Sequence, residues 1–234
     1  MSISLVILTY NEIAGLKCIV DNIPFGDVDE YYAIDGGSTD GTVEFLQKNG
    51  IKVYGQKIKG RGEAFREAFR RSSCDACLFF SPDGNENPRD IPKFKKFLSK
   101  GADMVIATRM TKDARNEEDD NFFKWRKWAN NIFTLLANFT WNKSEYITDT
   151  INGYRAITKN AWIIMSADGP GYTIEYQSSI RALKKNLSII EFATNEGNRI
   201  DDQKGSPSIK TGIEFIRIYL KELLIGNKWK ITDL

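Results

Sequence analysis

The first 108 residues alternate short strand-like runs with stretches of helical periodicity, and that alternation leaves few folds open. ISLVIL (3–8) is continuously apolar, as expected of a strand buried on both faces. Ile13, Leu16, Ile19 and Val20 then recur at helical spacing within residues 11–22, and Pro24 follows. The strand signal returns in YYAI (31–34), IKVYG (51–55), residues 77–80 and DMVIAT (103–108), with helices expected over 42–48, 63–71 and 90–98. Such an order gives a mainly parallel sheet with helices on both faces. Sheets of this kind bind ligands beyond the carboxyl ends of their strands. Polar turns fall at those ends: Thr9 to Glu12, Asp35 to Asp40, and Ser81 to Asn85.

Composition removes several chemistries. The 234 residues contain no histidine, which excludes Ser-His-Asp triads, His-ligated zinc and imidazole acid–base catalysis. The three cysteines, Cys18, Cys74 and Cys77, are an odd count without further zinc ligands, and read as small buried apolar residues. A net charge of +2 with no long basic run points to no nucleic-acid partner. No apolar run approaches the ~18 residues that span a bilayer, and the start lacks a signal-peptide pattern. The expected location is therefore cytoplasmic, with a surface-lying helix left open. Catalysis would rest on carboxylates, Arg or Lys, hydroxyls or a hard metal ion.

IDGGSTDGT lacks the GxGxxG spacing, and no P-loop is present, so a nucleotide would be held by separate rim residues. Asp35 suits a base or ribose hydrogen bond. Arg61, set between two glycines before a helix, and Arg109 suit phosphate. FFSPDGNENP (79–88) carries Asp83, whose setting reads either as a metal–diphosphate site or as ordinary turn chemistry.

The second half differs. Residues 113–121 are acidic and aperiodic, and predict a mobile loop. Residues 121–141 pack many aromatics at helical spacing, a pattern that is more often core than anything else. A helix over 171–186, a strand over 187–192, a polar loop over 195–208 and a final amphipathic helix follow. With no repeat or linker, the chain reads as one domain over 1–234. Its pattern changes near residue 110, and the C-terminal amphipathic helix is expected over 208–226.

ILTYNE, AIDGGSTDGT, KGRGEAFREAF, FFSPDGNENP, VIATRM, DTINGYRA, GYTIEYQSSIRA and EGNRI…KGSPS occur in the order seen in family-2 glycosyltransferases of the GT-A fold. The chain most resembles the branch containing dolichol-phosphate mannose synthase and related polyprenyl-phosphate glycosyltransferases. The resemblance implies an α/β fold with a single Rossmann-like, mainly parallel sheet, a nucleotide-binding half (1–110) and an acceptor-side C-terminal half (111–215). It also implies a nucleotide-sugar donor (GDP-mannose or UDP-hexose), Mg²⁺ or Mn²⁺, inverting transfer to a polyprenyl phosphate, and peripheral contact at the inner face of a membrane. By position, Thr9, Tyr10, Glu12 and Asp35 would hold the nucleoside, and Arg61 and Arg109 would lie near phosphate. Asp83 and Asn85 would serve the metal, and Asp149 and Glu175 are acidic positions of the acceptor half. Arg199, Lys204 and Ser206 belong to a loop closing over the diphosphate. The implied catalytic set is Asp83, Asp149, Glu175 and Arg199.

Two residues depart from the family pattern. Ser81 stands where a first metal-site Asp is usual, and Gly36 replaces an acid after Asp35, so weaker metal affinity is expected. A polyprenyl monophosphate, with a second pKa near ~6, is already an anion at neutral pH and needs no base. A sugar hydroxyl would need one, with Asp149 and Glu175 the candidates. Transfer to a saccharide hydroxyl and non-catalytic binding of a nucleotide sugar stay open as alternatives. A nucleotidyltransferase is disfavoured, because ILTYNE occupies the place of its glycine-rich loop.

Overall fold

The computed structural model describes residues 1–119, 124–200 and 208–231. Seven strands form one sheet: β1 (Ile3–Thr9), β2 (Glu30–Asp35), β3 (Val53–Gly55), β4 (Ala76–Phe80), β5 (Met104–Thr108), β6 (Arg155–Thr158) and β7 (Ile189–Ala193). Their order is β3-β2-β1-β4-β6-β5-β7, and every pairing is parallel except those of β6, which runs antiparallel to both β4 and β5. The reversal brings the residues preceding β6 to the same rim as the carboxyl ends of the parallel strands. The sequence signal for β6 is faint, since RAIT is short and opens on a charged residue. Every residue of β1 and β4 is buried, which accounts for their unbroken apolar runs.

The helices are α1 (Ile13–Ile19), α2 (Thr42–Lys48), α3 (Arg61–Arg71), α4 (Ile91–Leu98), α5 (Trp125–Trp141), α6 (Lys159–Met165), α7 (Thr173–Lys184) and α8 (Ser208–Ile225). One core layer packs α1, α2 and α4 residues such as Leu16, Leu46 and Phe94 under the sheet. The opposite layer packs α3 and α5 to α8, where the Phe65 ring stacks on Phe79 at 3.6 Å and Phe69 on Trp162 at 4.5 Å.

Several expectations change. Cys74 and Cys77 are buried, but Cys18 is exposed. The described part of the acidic loop is tied to the sheet edge, because Arg115 forms a β-bridge with Asn195 and both Asn116 and Glu118 are buried. The aromatic stripe of α5 is only partly core: Phe133 is buried, whereas Trp128 is 52% and Phe139 89% exposed. Among the described residues, no helix is long and apolar enough to cross a membrane.

α8 is fastened to α7 by a buried charge cluster. The Glu222 carboxylate is fully buried and accepts from Gln177 Nε2 (2.8 Å), Arg181 Nε (3.0 Å) and Lys184 Nζ (2.7 Å). Removing one partner of such a pair leaves an uncompensated buried charge. Glu222→Ala is therefore expected to cost about 3–5 kcal/mol, read as a lowered urea midpoint with little change in slope.

Candidate active site

The carboxyl ends of β1 and β2 are stitched together before any ligand arrives. Asn11 takes φ +58°, a region that Asn tolerates better than most residues. Its N–H donates to Ser38 Oγ (2.8 Å), and its Oδ1 accepts from Thr39 N–H (2.8 Å). Asp35 is 3% exposed. Its carboxylate accepts from Thr9 Oγ1 (3.0 Å), the Gly37 and Ser38 N–H groups (2.7 and 2.9 Å) and the Ser38 hydroxyl. Asp35 thus organises the turn, while Thr9, Tyr10 and Glu12 line the cavity beside it. The Tyr10 ring lies over Gly36, where a Cβ would meet its Cδ2 at 3.3 Å, and Lys59 Nζ sits 5.6 Å from the ring centre.

The cavity measures about 760 Å³ and its wall is densely charged. Arg61, the first residue of α3, pairs with Glu175 in the first turn of α7 and reaches Ser81 Oγ at 3.3 Å. A Cβ at Gly153 would lie 1.9 Å from Arg61 Nη2, so a larger residue there would displace the guanidinium from this position. Glu175 is 2% exposed, and its Oε2 accepts no hydrogen bond among the described residues. Behind it the fully buried Arg155 donates to the carbonyls of Asn152 (2.6 Å), Thr150 (3.2 Å) and Glu175 (2.9 Å). Desolvation lowers its pKa to about 10, so it stays protonated at neutral pH.

On the far wall α1 approaches the Pro82–Asp83 turn so closely that a Cβ at Gly15 would lie 2.0 Å from the Pro82 carbonyl oxygen. Residues 197–200 zip onto that turn through Gly197 N–H to Asn85 O (2.8 Å) and Ile200 N–H to Asp83 O (2.9 Å). This sets Arg199 Nε 3.7 Å from Asp83 Oδ2 and 3.3 Å from Glu117 Oε2. Asn85 Nδ2 donates to Glu117 (2.9 Å), which leaves its carbonyl oxygen as the atom with a lone pair to offer. Burial raises the pKa of Asp83 against the pull of Arg199.

Arg109 is held by Asp149 through two bonds (2.7 and 3.1 Å) and by Glu196 (3.1 Å). Asp149 is fully buried, also accepts from Asn130 Nδ2 (3.0 Å) and the Asn152 N–H (3.1 Å), and does not line the cavity. Burial pushes its carboxyl up, but the Arg109 charge and hydrogen bonds outweigh this and hold it below the ordinary range. That geometry suits orienting Arg109 and leaves little for proton transfer to a ligand.

Of the residues expected from sequence, Thr9, Tyr10, Glu12, Arg61, Asp83, Asn85, Arg109, Glu175 and Arg199 line this one cavity, whereas Asp35 and Asp149 stand behind its wall. Lys204 and Ser206 lie outside the described residues. Sequence reasoning missed Glu86, Glu117 and Glu196. Glu117 sat inside a run read only as an acidic loop, and Glu86 within the quoted Asp83 turn, where nothing marked it as buried. Glu86 faces the departure at Ser81, accepting its N–H at 2.8 Å, so a carboxylate lies beside the serine after all.

Burial raises the Glu86 pKa to about 8, against the Ser81 hydrogen bond and the Arg61 charge. A carboxyl whose folded pKa lies above its unfolded value favours the fold at low pH and loses that advantage as pH rises. Its contribution is therefore full below about pH 4.5 and gone above about pH 8. In EDTA, the melting temperature of Glu86→Gln should gain on wild type steadily between those limits. Parallel curves would remove the titration from Glu86.

Comparisons with known proteins bear on the family and the fold. The family model described as Glycosyl transferase family 2 matches residues 4–162. The glycosyltransferase AglJ of Haloferax volcanii is 28% identical over 173 residues, 74% of this chain but 55% of the relative, so the chain spans about half the length of that protein. The UDP-N-acetylglucosamine–dolichyl-phosphate N-acetylglucosaminyltransferase of Methanococcus voltae is 24% identical over 186 residues, covering 70% of this chain and 72% of the relative. Among solved structures, the glucosyl-3-phosphoglycerate synthase of Mycobacterium tuberculosis in complex with phosphoglyceric acid superposes with a TM-score of 0.72 over 98% of this chain and 81% of that one, at 22% identity. The same protein has been solved with Mn²⁺ and UDP-glucose, with a TM-score of 0.69 over 97% of this chain and 78% of that one, at 22% identity.

Proposed function

The chain belongs to glycosyl transferase family 2, and we propose that it is an inverting glycosyltransferase that takes a sugar from a nucleoside diphosphate and delivers it to a polyprenyl-phosphate acceptor. The observation that carries this reading is the convergence of Arg61, Asp83, Arg109 and Arg199 on one cavity at the carboxyl rim of the sheet. Residues 1–110 would hold the nucleotide, and the later half the acceptor. The relative from Methanococcus, which by its name uses UDP-N-acetylglucosamine and dolichyl phosphate, supports that donor and acceptor class.

In this reading the base rests against Tyr10, with Thr9 and Glu12 beside it, and Asp35 keeps the underlying turn rigid. Arg61 and Arg199 face the diphosphate, where charge develops as the bond to the anomeric carbon breaks. Asp149 fixes the direction in which Arg109 points. An acceptor phosphate oxygen attacks the anomeric carbon, and the nucleoside diphosphate leaves with the bonding pair. The acceptor is already ionised at neutral pH, so no base is called for.

A divalent cation fits the donor set at the Asp83 turn, because Mg²⁺ or Mn²⁺ commonly takes one or two protein carboxylates and fills its shell with phosphate and water. Asp83 and the Asn85 carbonyl would hold it, with Lewis-acid stabilisation of the leaving diphosphate as its contribution. Among the described residues no group of three Asp, Glu, Cys or His could hold a metal by itself. Contact with a membrane would be peripheral.

A second reading has one observation in its favour. The unpartnered Oε2 of Glu175 could accept the proton of a saccharide hydroxyl.

Thermal shift with UDP, GDP, UDP-glucose, UDP-N-acetylglucosamine and GDP-mannose, each with and without Mn²⁺, tests the donor class. A ligand at a hundred times its dissociation constant should add about 2.7 kcal/mol. The expected result is a shift for one base only, enhanced by Mn²⁺ and lost in Asp83→Ala. No shift with any nucleotide overturns the reading. For the acceptor, Glu175→Gln should change transfer to a polyprenyl phosphate by less than about tenfold, whereas loss of an obligate base costs about 10²–10⁴-fold.

A further inference from the structure

The turn after β2 has its carboxylate fully engaged. Asp35 accepts from Thr9 Oγ1 and the Ser38 hydroxyl on Oδ1, and from the Gly37 and Ser38 N–H groups on Oδ2. Two carboxylate oxygens offer about four lone-pair positions, so these donors leave none for a ligand. A base resting against Tyr10 must therefore find its polar partner elsewhere, and Gln56, the residue after β3, is placed to be that partner. Its N–H donates to the Asp35 carbonyl (2.8 Å), and its side-chain Nε2 donates to the Gly60 carbonyl (2.9 Å). A carbonyl can only accept, so this bond settles which end of the amide is nitrogen and leaves Oε1 as the end beside Gly36. A Cβ at Gly36 would lie 3.3 Å from Gln56 Oε1 and 3.3 Å from Tyr10 Cδ2, so the amide oxygen and the ring meet over the same glycine. The glycine that departs from the family pattern is what lets both groups close on this backbone. All three residues line the cavity, and among the described residues Gln56 Oε1 accepts no hydrogen bond.

We infer that this subsite is built for uracil, with Gln56 Oε1 accepting the N3–H of the base. The inference rests on the nucleotide-sugar reading given above, and names the base of the donor and the residue that selects it. The pairing edge of uracil carries a single N–H, set between two carbonyls, and one fixed amide oxygen satisfies it. Guanine carries a ring N–H and an amino group on that edge. It would call for a second acceptor beside the first, and the Asp35 carboxylate has no lone pair left to give. Cytosine presents a lone pair at N3, which an amide oxygen repels. Selection of this kind comes from the cost of leaving a polar group unpaired in the complex, more than from the strength of the one bond made. Glu12 also lines the cavity and is the carboxylate on which guanine would have to call, so GDP is the informative competitor.

Isothermal titration with UDP, N3-methyl-UDP, CDP and GDP, all in the presence of Mn²⁺, tests this. Wild type should bind UDP at least about tenfold more tightly than each of the other three, the discrimination that one mispaired polar group commands. Gln56→Ala should bring UDP and N3-methyl-UDP to within about threefold of each other. Gln56→Glu, which keeps an acceptor in place, should retain the preference. The ratio is the readout, because losing the bond to Gly60 also loosens the segment before Arg61 and weakens every diphosphate alike. Equal binding of UDP and its N3-methyl form by wild type overturns the inference. So does a preference that survives undiminished in Gln56→Ala, and so does tighter binding of GDP than of UDP. Each of those results still includes nucleotide binding and spares the glycosyltransferase reading, whereas no binding of any nucleotide removes both.

Discussion

The buried guanidinium of Arg155 is the joint on which the candidate site depends. It sits at the start of the one antiparallel strand of the described sheet, hydrogen-bonds no carboxylate among the described residues, and donates to three carbonyls and the hydroxyls of Ser178 and Ser179. Those acceptors come from the 150–152 turn and from the first two turns of α7. One side chain therefore fixes the spacing between the segment carrying Asp149, Asn152 and Gly153 and the helix carrying Glu175. Such a cation tolerates burial only while every donor is occupied. The geometry of the far wall is thus specified by chemistry that never meets a ligand.

Around that joint, the described cations of the cavity wall are largely paired in advance: Arg61 with Glu175, Arg109 with Asp149 and Glu196, Arg199 with Asp83 and Glu117. Pairing of this kind keeps the groups in place and spares reorganisation when charge develops nearby. It also means that a diphosphate must compete with carboxylates for its cations. In the proposed reading, Asp83 would hold a divalent ion, whose charge would offset that carboxylate and ease the competition.

Much of the first 110 residues was legible because β1 and β4 are buried on both faces, while α3 and α4 bury one, so periodicity and burial agree there. α2 falls where the spacing put it, at Thr42–Lys48. β6 and α6 were not legible: RAIT gives four residues with an arginine in front, and only the fold reveals that this arginine is satisfied inside. The candidate residues were found through motif order, which names positions but not directions. Asp35 and Asp149 illustrate the limit, since a carboxylate that builds a turn and one that faces a ligand look alike in sequence. Cys18 and the outer residues of α5 fail for the opposite reason. Apolar spacing predicts a helix face well, but not what covers it.

That last failure bears on how the two halves of the molecule differ. In the first 110 residues, α1, α2 and α4 pack on one face of the sheet and α3 on the other. Beyond residue 110, α5 and α8 bury Phe133, Ala137, Phe215 and Ile218 in the core and leave residues such as Trp128, Phe139, Leu220 and Leu224 exposed. Leaving ten large apolar side chains exposed gains nothing for an isolated fold, since burial is the main favourable term available to it. The fold itself does not require them, as the α7–α8 clamp at Glu222 already secures the last helix from the inner side. In the proposed reading, the residues that these helices lend to the cavity wall, Trp125, Ala129, Phe133 and Phe215, would meet the apolar portion of the acceptor.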